Sequence, residues 1–370
     1  MTDTSYTPGQ HPDLPPPSGL VGPVAWVRQN LFSSWINAAL TIASIALLAM
    51  VIPPLFNWAF FDAVFSGDSR QACAEATGAC WAVVTARLPQ FFYGLYPTAE
   101  TWRLNIAFVG LLIAATPWLV PNMPFRRATV WFSLAYPFIA WWLLAGGMGL
   151  TPVYTGQWGG FTLTLVIGVT GIVASLPLGI LLALGRQSTL PVISMLCVGF
   201  IETVRGVPLI MFLFMASNML NLFLPNGVTF DLLMRALIAV TLFSSAYMAE
   251  VVRGGLQAIP KGQYEAAQAM GLTYWQSMRF IILPQALRTV IPGIVNNFIA
   301  LFKDTSLVAI IGLFDLLNMA KAIVTDPDWQ GLSIEVYVFA ALVYWVVCFS
   351  MSRYSLWLEG RLGAGTGQSR

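Results

Sequence analysis

The sequence predicts an all-α integral membrane protein with about eight transmembrane helices. Of its 370 residues, 57% are hydrophobic and only 9% are charged, whereas soluble domains carry about 25% charged residues. The mean hydropathy is +0.73. A chain of this size cannot bury so much apolar surface in its own core, so lipid must cover it. The net charge of +2 and the absence of a basic run longer than Arg126-Arg127 argue against a nucleic-acid partner.

Eight long apolar runs mark the candidate spans, because a helix needs about 20 apolar residues to cross a bilayer. A Gly- and Thr-rich segment, GGMGLTPVYTGQWGG, separates the third run from the fourth. The sequence Gly206-Val207-Pro208 is the one interruption typical of a broken helix. The predicted spans are Ile36 to Phe56, Leu104 to Val120, Ala128 to Ala145, Phe161 to Leu184, Val207 to Leu224, Leu232 to Val252, Gln285 to Phe302 and Ile334 to Ser352.

The distribution of Lys and Arg favours an orientation with both termini in the cytoplasm. With alternating spans, twelve basic residues fall inside: Arg28, Arg126, Arg127, Arg186, Arg205, Arg253, Lys261, Arg279, Arg288, Arg353, Arg361 and Arg370. Five fall outside: Arg70, Arg87, Arg103, Arg235 and Lys321. Residues 1–30, rich in Pro and Gly, are predicted to be a disordered cytoplasmic tail, and residues 357–370 a second cytoplasmic tail.

Histidine and cysteine content restricts the chemistry of the chain. The single histidine, His11, lies in the Pro-rich tail, which argues against histidine-based catalysis and HExxH zinc sites. We therefore expect no cofactor, no metal and no enzymatic activity. Cys73 and Cys80 fall in a polar loop placed outside the membrane, where the sequence is compatible either with a disulfide or with two unpaired cysteines.

The segment between the sixth and seventh runs is too polar to span a membrane and too patterned for a plain linker. Good helix formers predict a short helix over Gln263 to Met270, which Gly271 can end in a left-handed conformation. A second short helix is predicted over Tyr274 to Ile281, and Pro284 is expected to interrupt it before the seventh span. From shape alone, the segment is either a docking hairpin or a surface connection.

Seven residues of this segment resemble, at every spacing, the EAA loop of ABC importer permeases: Glu265, Ala266, Ala267, Gly271, Ile281, Leu283 and Pro284. The flanking sequences ETVRGVPLI, AYMAEVVRGGLQAIPKGQYEAAQAMGL, LPQALR and LFKDTSLVAIIGL look like the polar amino-acid branch, the histidine/glutamine-type permeases. The resemblance covers residues 159–356. Residues 31–158, with three extra spans and a periplasmic loop, resemble the enlarged general or glutamate/glutamine/aspartate/asparagine permeases. Val207 departs from the Thr that the family often has.

The resemblance implies that the last five spans form a type I ABC importer permease core. The chain would then be the permease subunit of an ATP-driven importer of polar L-amino acids in the bacterial inner membrane. Because it has no GxxxxGK[ST] phosphate loop, a separate subunit must hydrolyse ATP. The implied partners are a cytoplasmic ABC ATPase dimer that receives the EAA loop, a second homologous permease and a periplasmic amino-acid-binding protein. Glu265 would either pair with a basic residue of the ATPase or cap its own helix.

Five polar residues in the second half of the predicted seventh span and just after its end are candidates for the substrate path: Asn296, Asn297, Lys303, Asp304 and Ser306. The first four form pairs seven residues apart, about two helical turns, and are expected to share one stripe. Ionisable groups inside a membrane usually face the interior or a water-filled path. An ammonium beside a carboxylate would complement an amino-acid zwitterion. The alternative is a structural Lys303–Asp304 pair at the outer interface.

The competing functional interpretation is an ion-coupled secondary amino-acid transporter. Such a protein commonly carries a coupling acid deep within a span. No Asp or Glu lies at the centre of a predicted span here, which favours the ATP-driven importer. An intramembrane enzyme is the less favoured third class, because the chain lacks the histidine chemistry described above.

Overall fold

A computed structural model describes residues 22–120, 125–225 and 227–363. Within those ranges the chain is helical, apart from turns, loops and one two-residue strand, β1 (Phe314–Asp315). The α-helices are α1 (Pro23–Asn30), α2 (Trp35–Phe56), α3 (Ala82–Tyr93), α4 (Thr101–Leu119), α5 (Arg126–Ala145), α6 (Gly160–Arg186), α7 (Pro191–Gly206), α8 (Leu209–Met219), α9 (Leu232–Gln257), α10 (Lys261–Ala269), α11 (Tyr274–Ser277), α12 (Leu283–Thr289), α13 (Ile291–Asp304), α14 (Leu316–Val324) and α15 (Ser333–Gly363).

The chain divides into two compact units. The first comprises residues 1–65 and 73–81, and the second comprises residues 66–72 and 82–370. The division predicted at residue 158 does not coincide with this one, because α4 and α5 belong to the same unit as the predicted core. Helix α15 also continues to Gly363, beyond the predicted start of the C-terminal tail at residue 357.

In the first unit, α1 corrects the expectation of disorder over residues 1–30. Residues 23–30 are helical because Pro23 occupies the first helical position, where its fixed φ is favourable and no N–H is needed. Residues 1–21 of the predicted tail lie outside the described residues. Ser34 caps α2 by accepting a hydrogen bond from the Asn37 N–H. Cys73 and Cys80 form a disulfide, which decides between the two arrangements left open by the sequence.

Seven helical segments among the described residues are long and apolar enough to cross a membrane. They are Trp35–Phe61, Thr98–Leu119, Arg126–Ala145, Gly160–Arg186, Leu232–Gln257, Ile291–Ile311 and Ser333–Arg361. The eighth candidate is a pair, Pro191–Gly206 and Leu209–Phe223, bent by 107° at the predicted break. The predicted fifth span, Val207 to Leu224, therefore covers only the second half of this pair.

The predicted start of the seventh span at Gln285, and the interruption at Pro284, are wrong. A π-helical turn, Met278–Ile282, runs directly into α12, and Pro284 lies in the first turn of that helix. A π-turn shifts the hydrogen-bond ladder, which allows the missing proline N–H to be accommodated. The chain breaks instead at Val290, just before Pro292 in the first turn of α13, and the span continues to Ile311.

Helix α6 packs closely against α9 and α13 through glycines. A Cβ built on Gly179 would lie 2.6 Å from Met248 Cγ. A Cβ on Gly171 would lie 3.1 Å from Leu301 and 3.2 Å from Val240. Small residues permit this close approach, which is the usual basis of helix packing in membranes. The contacts place one face of α6 directly behind residues of α9 and α13.

A backbone junction at the start of α6 joins three distant parts of the second unit. Isolated bridges pair Gly94 with Trp158, Gly159 with Phe314, and Gly160 with Asp315. Gly160 has a φ of +60°, and a Cβ there would lie 2.3 Å from the backbone oxygen of Phe91 at the end of α3. Only glycine fits both the left-handed backbone and this contact.

The carboxylate of Asp315 anchors the same junction. It caps α14 by accepting hydrogen bonds from the N–H groups of Leu317 and Asn318, both at 3.1 Å. The hydroxyl of Tyr344 on α15 donates to it at 3.1 Å. Thr164 of α6 accepts a hydrogen bond from the Leu316 N–H at 3.1 Å. The start of α6, the loop after the seventh span and α15 are thereby held together.

Replacing Gly160 with alanine should destabilise the second unit. The left-handed backbone alone costs a non-glycine residue about 1–3 kcal/mol, and the Cβ would overlap the Phe91 carbonyl. We expect a lower amount of protein in the membrane and a lower thermal midpoint in detergent by fluorescence-detected gel filtration.

Gly156→Ala is the matched control, because Gly156 is exposed and no atom lies within 4 Å of its added Cβ. It should behave as the wild type. Equal stability of the two alanine variants would show that the junction does not determine the fold.

Candidate functional site

A cavity of about 380 Å³ lies between the start of α8, the middle of α9 and the second half of α13. Its lining residues are Pro208, Leu209, Val240, Phe243, Ser244, Tyr247, Asn297, Ala300, Leu301, Asp304 and Leu307. Helix α8 can contribute because the 107° bend turns its first residues towards α9. The size falls within the range of small-molecule sites.

The polar groups of the cavity have hydrogen-bonding capacity that the protein leaves unused. The Ser244 Oγ and the Asn297 Nδ2 are buried and have no hydrogen-bond partner among the described residues. Asp304 is the charged member of the lining that the structure describes. Because an unsatisfied buried polar group costs about 1–3 kcal/mol, these atoms indicate a site for a polar ligand.

The aromatic wall of the cavity contacts a charged cluster that consists of Arg186, Arg205, Glu250 and Arg253. The rings of Phe243 and Tyr247 lie 5.0 Å apart. The Arg205 guanidinium lies over the Tyr247 ring, 5.4 Å from its centroid, and its Nη1 is 3.8 Å from Glu250. Glu250 also binds Arg186 and Arg253, each at 2.7 Å. The cluster joins α6, α7 and α9 one to two turns beyond the cavity.

The structure separates the five residues predicted for the substrate path. Asn297 and Asp304 line the cavity. Asn296 and Lys303 are exposed and are not part of its lining. Ser306 donates its hydroxyl to the Lys303 carbonyl at 2.8 Å. No salt bridge joins Lys303 and Asp304 in the described part of the chain.

The segment between α9 and α13 folds as a hairpin, and the two helix ends that flank its turn, the end of α10 and the start of α11, are both capped. After α10, the Leu272 N–H donates to the Ala267 carbonyl at 3.2 Å and the Gly271 N–H to the Gln268 carbonyl at 2.9 Å. Gly271 has a φ of +72°, so this is a Schellman ending. Thr273 and Gln276 then form a reciprocal capping box that starts α11.

The hairpin has a packed inner side and an apolar outer side. Ala267 is fully buried, whereas Glu265, Ala266 and Gly271 are exposed. Ile281 and Leu283 are half-buried and Pro284 is exposed. Three aromatic side chains and one methionine are also exposed on the segment, namely Met270 (66%), Tyr274 (51%), Trp275 (66%) and Phe280 (66%). Apolar side chains of this size on a polar hairpin indicate a docking surface.

Sequence reasoning missed Ser244 and Tyr247 of the cavity. They lie three residues apart on α9, so they share one helix face, but neither is charged and the span around them is apolar. The T-x-x-Q spacing of Thr273 and Gln276 was a detectable signal for the start of α11.

Residues 175–364 match the model of the family described as "Binding-protein-dependent transport system inner membrane component". The chain therefore belongs to this family of inner membrane transport proteins, and within it to the amino-acid ABC transporter permeases. This membership confirms the predicted resemblance and gives no support to the ion-coupled alternative.

Two relatives match nearly the whole chain. The inner membrane amino-acid ABC transporter permease protein YhdY of Escherichia coli (strain K12) is 54% identical over 357 residues, covering 96% of this chain and 97% of the relative. The glutamate/glutamine/aspartate/asparagine transport system permease protein BztC of Rhodobacter capsulatus is 44% identical over 432 residues, covering 98% and 99%. Both are named as permease proteins, that is, as transport components rather than enzymes.

Among solved structures, an amino acid ABC transporter crystallised with histidines is 31% identical to this chain. The match has a TM-score of 0.49 and covers 55% of this chain and 92% of that one.

Proposed function

We propose that this permease imports polar L-amino acids and that the cavity between α8, α9 and α13 binds them during translocation. The observation that carries the proposal is the combination of one carboxylate with two unpartnered buried polar groups, Ser244 and Asn297. The names of its long relatives support an amino-acid substrate.

The cavity complements the two ends that all amino acids share. The Asp304 carboxylate attracts the α-ammonium, since opposite charges interact strongly where water is scarce. The hydroxyl of Ser244 and the amide N–H of Asn297 donate to the α-carboxylate. The Tyr247 ring offers an apolar wall to the side chain. Lys303, which lies outside the cavity lining, has no role in this arrangement.

The energy source and the delivery of substrate require other subunits. We propose a cytoplasmic ABC ATPase dimer that docks on the exposed side of the hairpin, around Ala266 and Trp275. A second homologous permease completes the membrane unit, and a periplasmic amino-acid-binding protein supplies the substrate. The family description, which refers to binding-protein-dependent transport, supports this assembly.

The proposed orientation places both termini and the hairpin in the cytoplasm. The excess of basic residues on that side supports it. The disulfide between Cys73 and Cys80 supports it independently, because structural disulfides form on the oxidising, periplasmic side of the inner membrane.

Asp304→Asn should impair uptake while membrane abundance stays normal. Removing the charge weakens a charge-assisted hydrogen bond worth about 1.5–3 kcal/mol, so the KM for L-glutamine should rise roughly tenfold to hundredfold. Uptake is measured in proteoliposomes that contain the complete transporter.

Lys303→Met is the matched control, because this neighbouring charge is exposed and lies outside the cavity lining. It should leave the KM within about twofold of wild type. A normal KM in Asp304→Asn, or an equal defect in the two variants, would contradict the proposed binding mode.

Gly271→Val should uncouple the permease from the ATPase. A β-branched residue at a φ of +72° is strained by about 1–3 kcal/mol, and the hairpin relieves the strain by changing the angle between α10 and α11. The expected result is weak co-purification of the ATPase and loss of ATP-driven uptake, with normal membrane insertion.

Gly271→Asn tests the same position with a residue that tolerates the left-handed conformation. It should retain most ATPase association and uptake. If the valine and asparagine variants show equal ATPase association and equal uptake, the backbone conformation at residue 271 is irrelevant to coupling.

Single-cysteine labelling should place Gly156→Cys outside and Gly262→Cys inside. Neither glycine has an atom within 4 Å of an added Cβ, so both substitutions should be tolerated. The background replaces the free Cys197 and Cys348 by alanine and keeps the disulfide.

A membrane-impermeant maleimide should label residue 156 in intact cells and residue 262 only after permeabilisation. Labelling of residue 262 in intact cells would refute the proposal, since a periplasmic hairpin cannot meet a cytoplasmic ATPase.

A further inference from the structure

An apolar cleft of about 260 Å³ separates the α4–α5 hairpin from α6. Its walls include Ala107 of α4, Ala140 of α5, and Val166 and Val173 of α6. No charged residue belongs to the lining that the structure describes. All three helices are long and apolar enough to span a membrane, so the cleft lies at the depth of the hydrocarbon core.

The length and volume of the cleft indicate which kind of molecule it can hold. The α6 residues that line it extend from Thr162 to Ala174, about 18 Å at 1.5 Å per residue, which is close to one leaflet of a roughly 30 Å hydrocarbon core. A partner helix about 10 Å across would fill on the order of 1,400 Å³ over this length, more than the open space of about 980 Å³ in and beside the cleft. Water does not fill an apolar space of this kind.

One end of the cleft carries two tryptophans and an unused hydrogen-bond donor. Trp141 and Trp158 both line it, and their ring centroids lie 5.6 Å apart. Trp158 lies two residues before the start of α6, and its buried Nε1 has no hydrogen-bond partner among the described residues. Tryptophan N–H groups at the ends of membrane spans lie at the level of lipid headgroups.

We propose that this cleft is a binding site for one phospholipid acyl chain. The chain lies along α6 between Ala140 and Val173. An ester oxygen of the same lipid accepts the hydrogen bond of Trp158 after a small adjustment of the indole ring. The lipid fills a space that protein atoms leave open, and so recovers the van der Waals contacts that an empty cleft would lose.

The site has a mechanical consequence for transport. The opposite face of α6 packs through Gly171 on Leu301 and Val240, and both of these residues line the polar cavity. A lipid chain is deformable, whereas packed side chains are not. A lipid behind α6 therefore permits this helix to shift when the polar cavity changes shape.

Native mass spectrometry of the purified transporter complex that contains the full-length chain tests the site, with palmitoyl-oleoyl-phosphatidylethanolamine titrated back after detergent delipidation. Ala140→Phe fills the cleft and should weaken binding of one lipid at least tenfold. Ala135→Phe is the matched control, since Ala135 lies exposed on the same helix and outside the lining, and it should bind as the wild type does. Trp158→Phe removes the donor together with part of the ring and should weaken binding about two- to tenfold.

Several outcomes would overturn the proposal. The first is that the wild type binds the lipid no more tightly than Ala140→Phe does. Another is lipid affinity unchanged in Ala140→Phe while a co-purifying permease is lost, which would assign the cleft to a second polypeptide. Should Ala140→Phe fail to reach the membrane, Trp158→Phe decides, because it keeps an aromatic side chain without the N–H donor, and unchanged affinity in that variant refutes the site.

Discussion

The close approach of α6 to α9 and α13 is the contact on which the rest of the structure depends. A Cβ on Gly179 would lie 2.6 Å from Met248, and one on Gly168 would lie 2.9 Å from the ring of Phe302. In a bilayer, lipid is as apolar as the helix surface, so hiding apolar area gives little attraction and close packing must supply it. The glycines supply it here. They also fix the spacing between the two helices that carry the polar side chains of the cavity, which a larger residue on α6 would push apart.

Helix α9 connects the polar cavity to the hairpin without any intervening loop. Ser244 lies in the cavity, Glu250 holds three arginines a turn or two further on, and a Cβ on Gly255 would lie 2.6 Å from the Ala286 carbonyl of α12. A force on the hairpin therefore reaches α12 and the end of α9 together. Because packed helices move as rigid elements and not by continuous deformation, a displacement of the hairpin would tilt the cavity face of α9 relative to α13.

Hydropathy and turn chemistry predict most of the helices of this chain, because both depend on neighbouring residues. The left-handed ending at Gly271 is of this kind. The 107° bend beside Pro208 is not, since proline marks a break but its angle is set by the helices packed around it. Pro284 fails as a helix stop because a π-turn accommodates it. Lys303 and Asp304 differ by about 100° around their helix, and only the contact with α9 shows which of the two faces the cavity.

The unpaired polar groups of the cavity lower the stability of the fold, and this loss of stability bears on what the cavity is for. Unpaired polar atoms, such as those of Ser244 and Asn297, destabilise the fold by about 1–3 kcal/mol each. Asp315, by contrast, is a buried polar group that the protein itself satisfies, through Leu317, Asn318 and Tyr344. Two of the unpartnered buried atoms, Ser244 Oγ and Asn297 Nδ2, lie together in the polar cavity. Polar groups inside a membrane commonly face a bundle interior or a water-filled path, and the site that we propose lies between helices whose spacing is set by the glycines of α6.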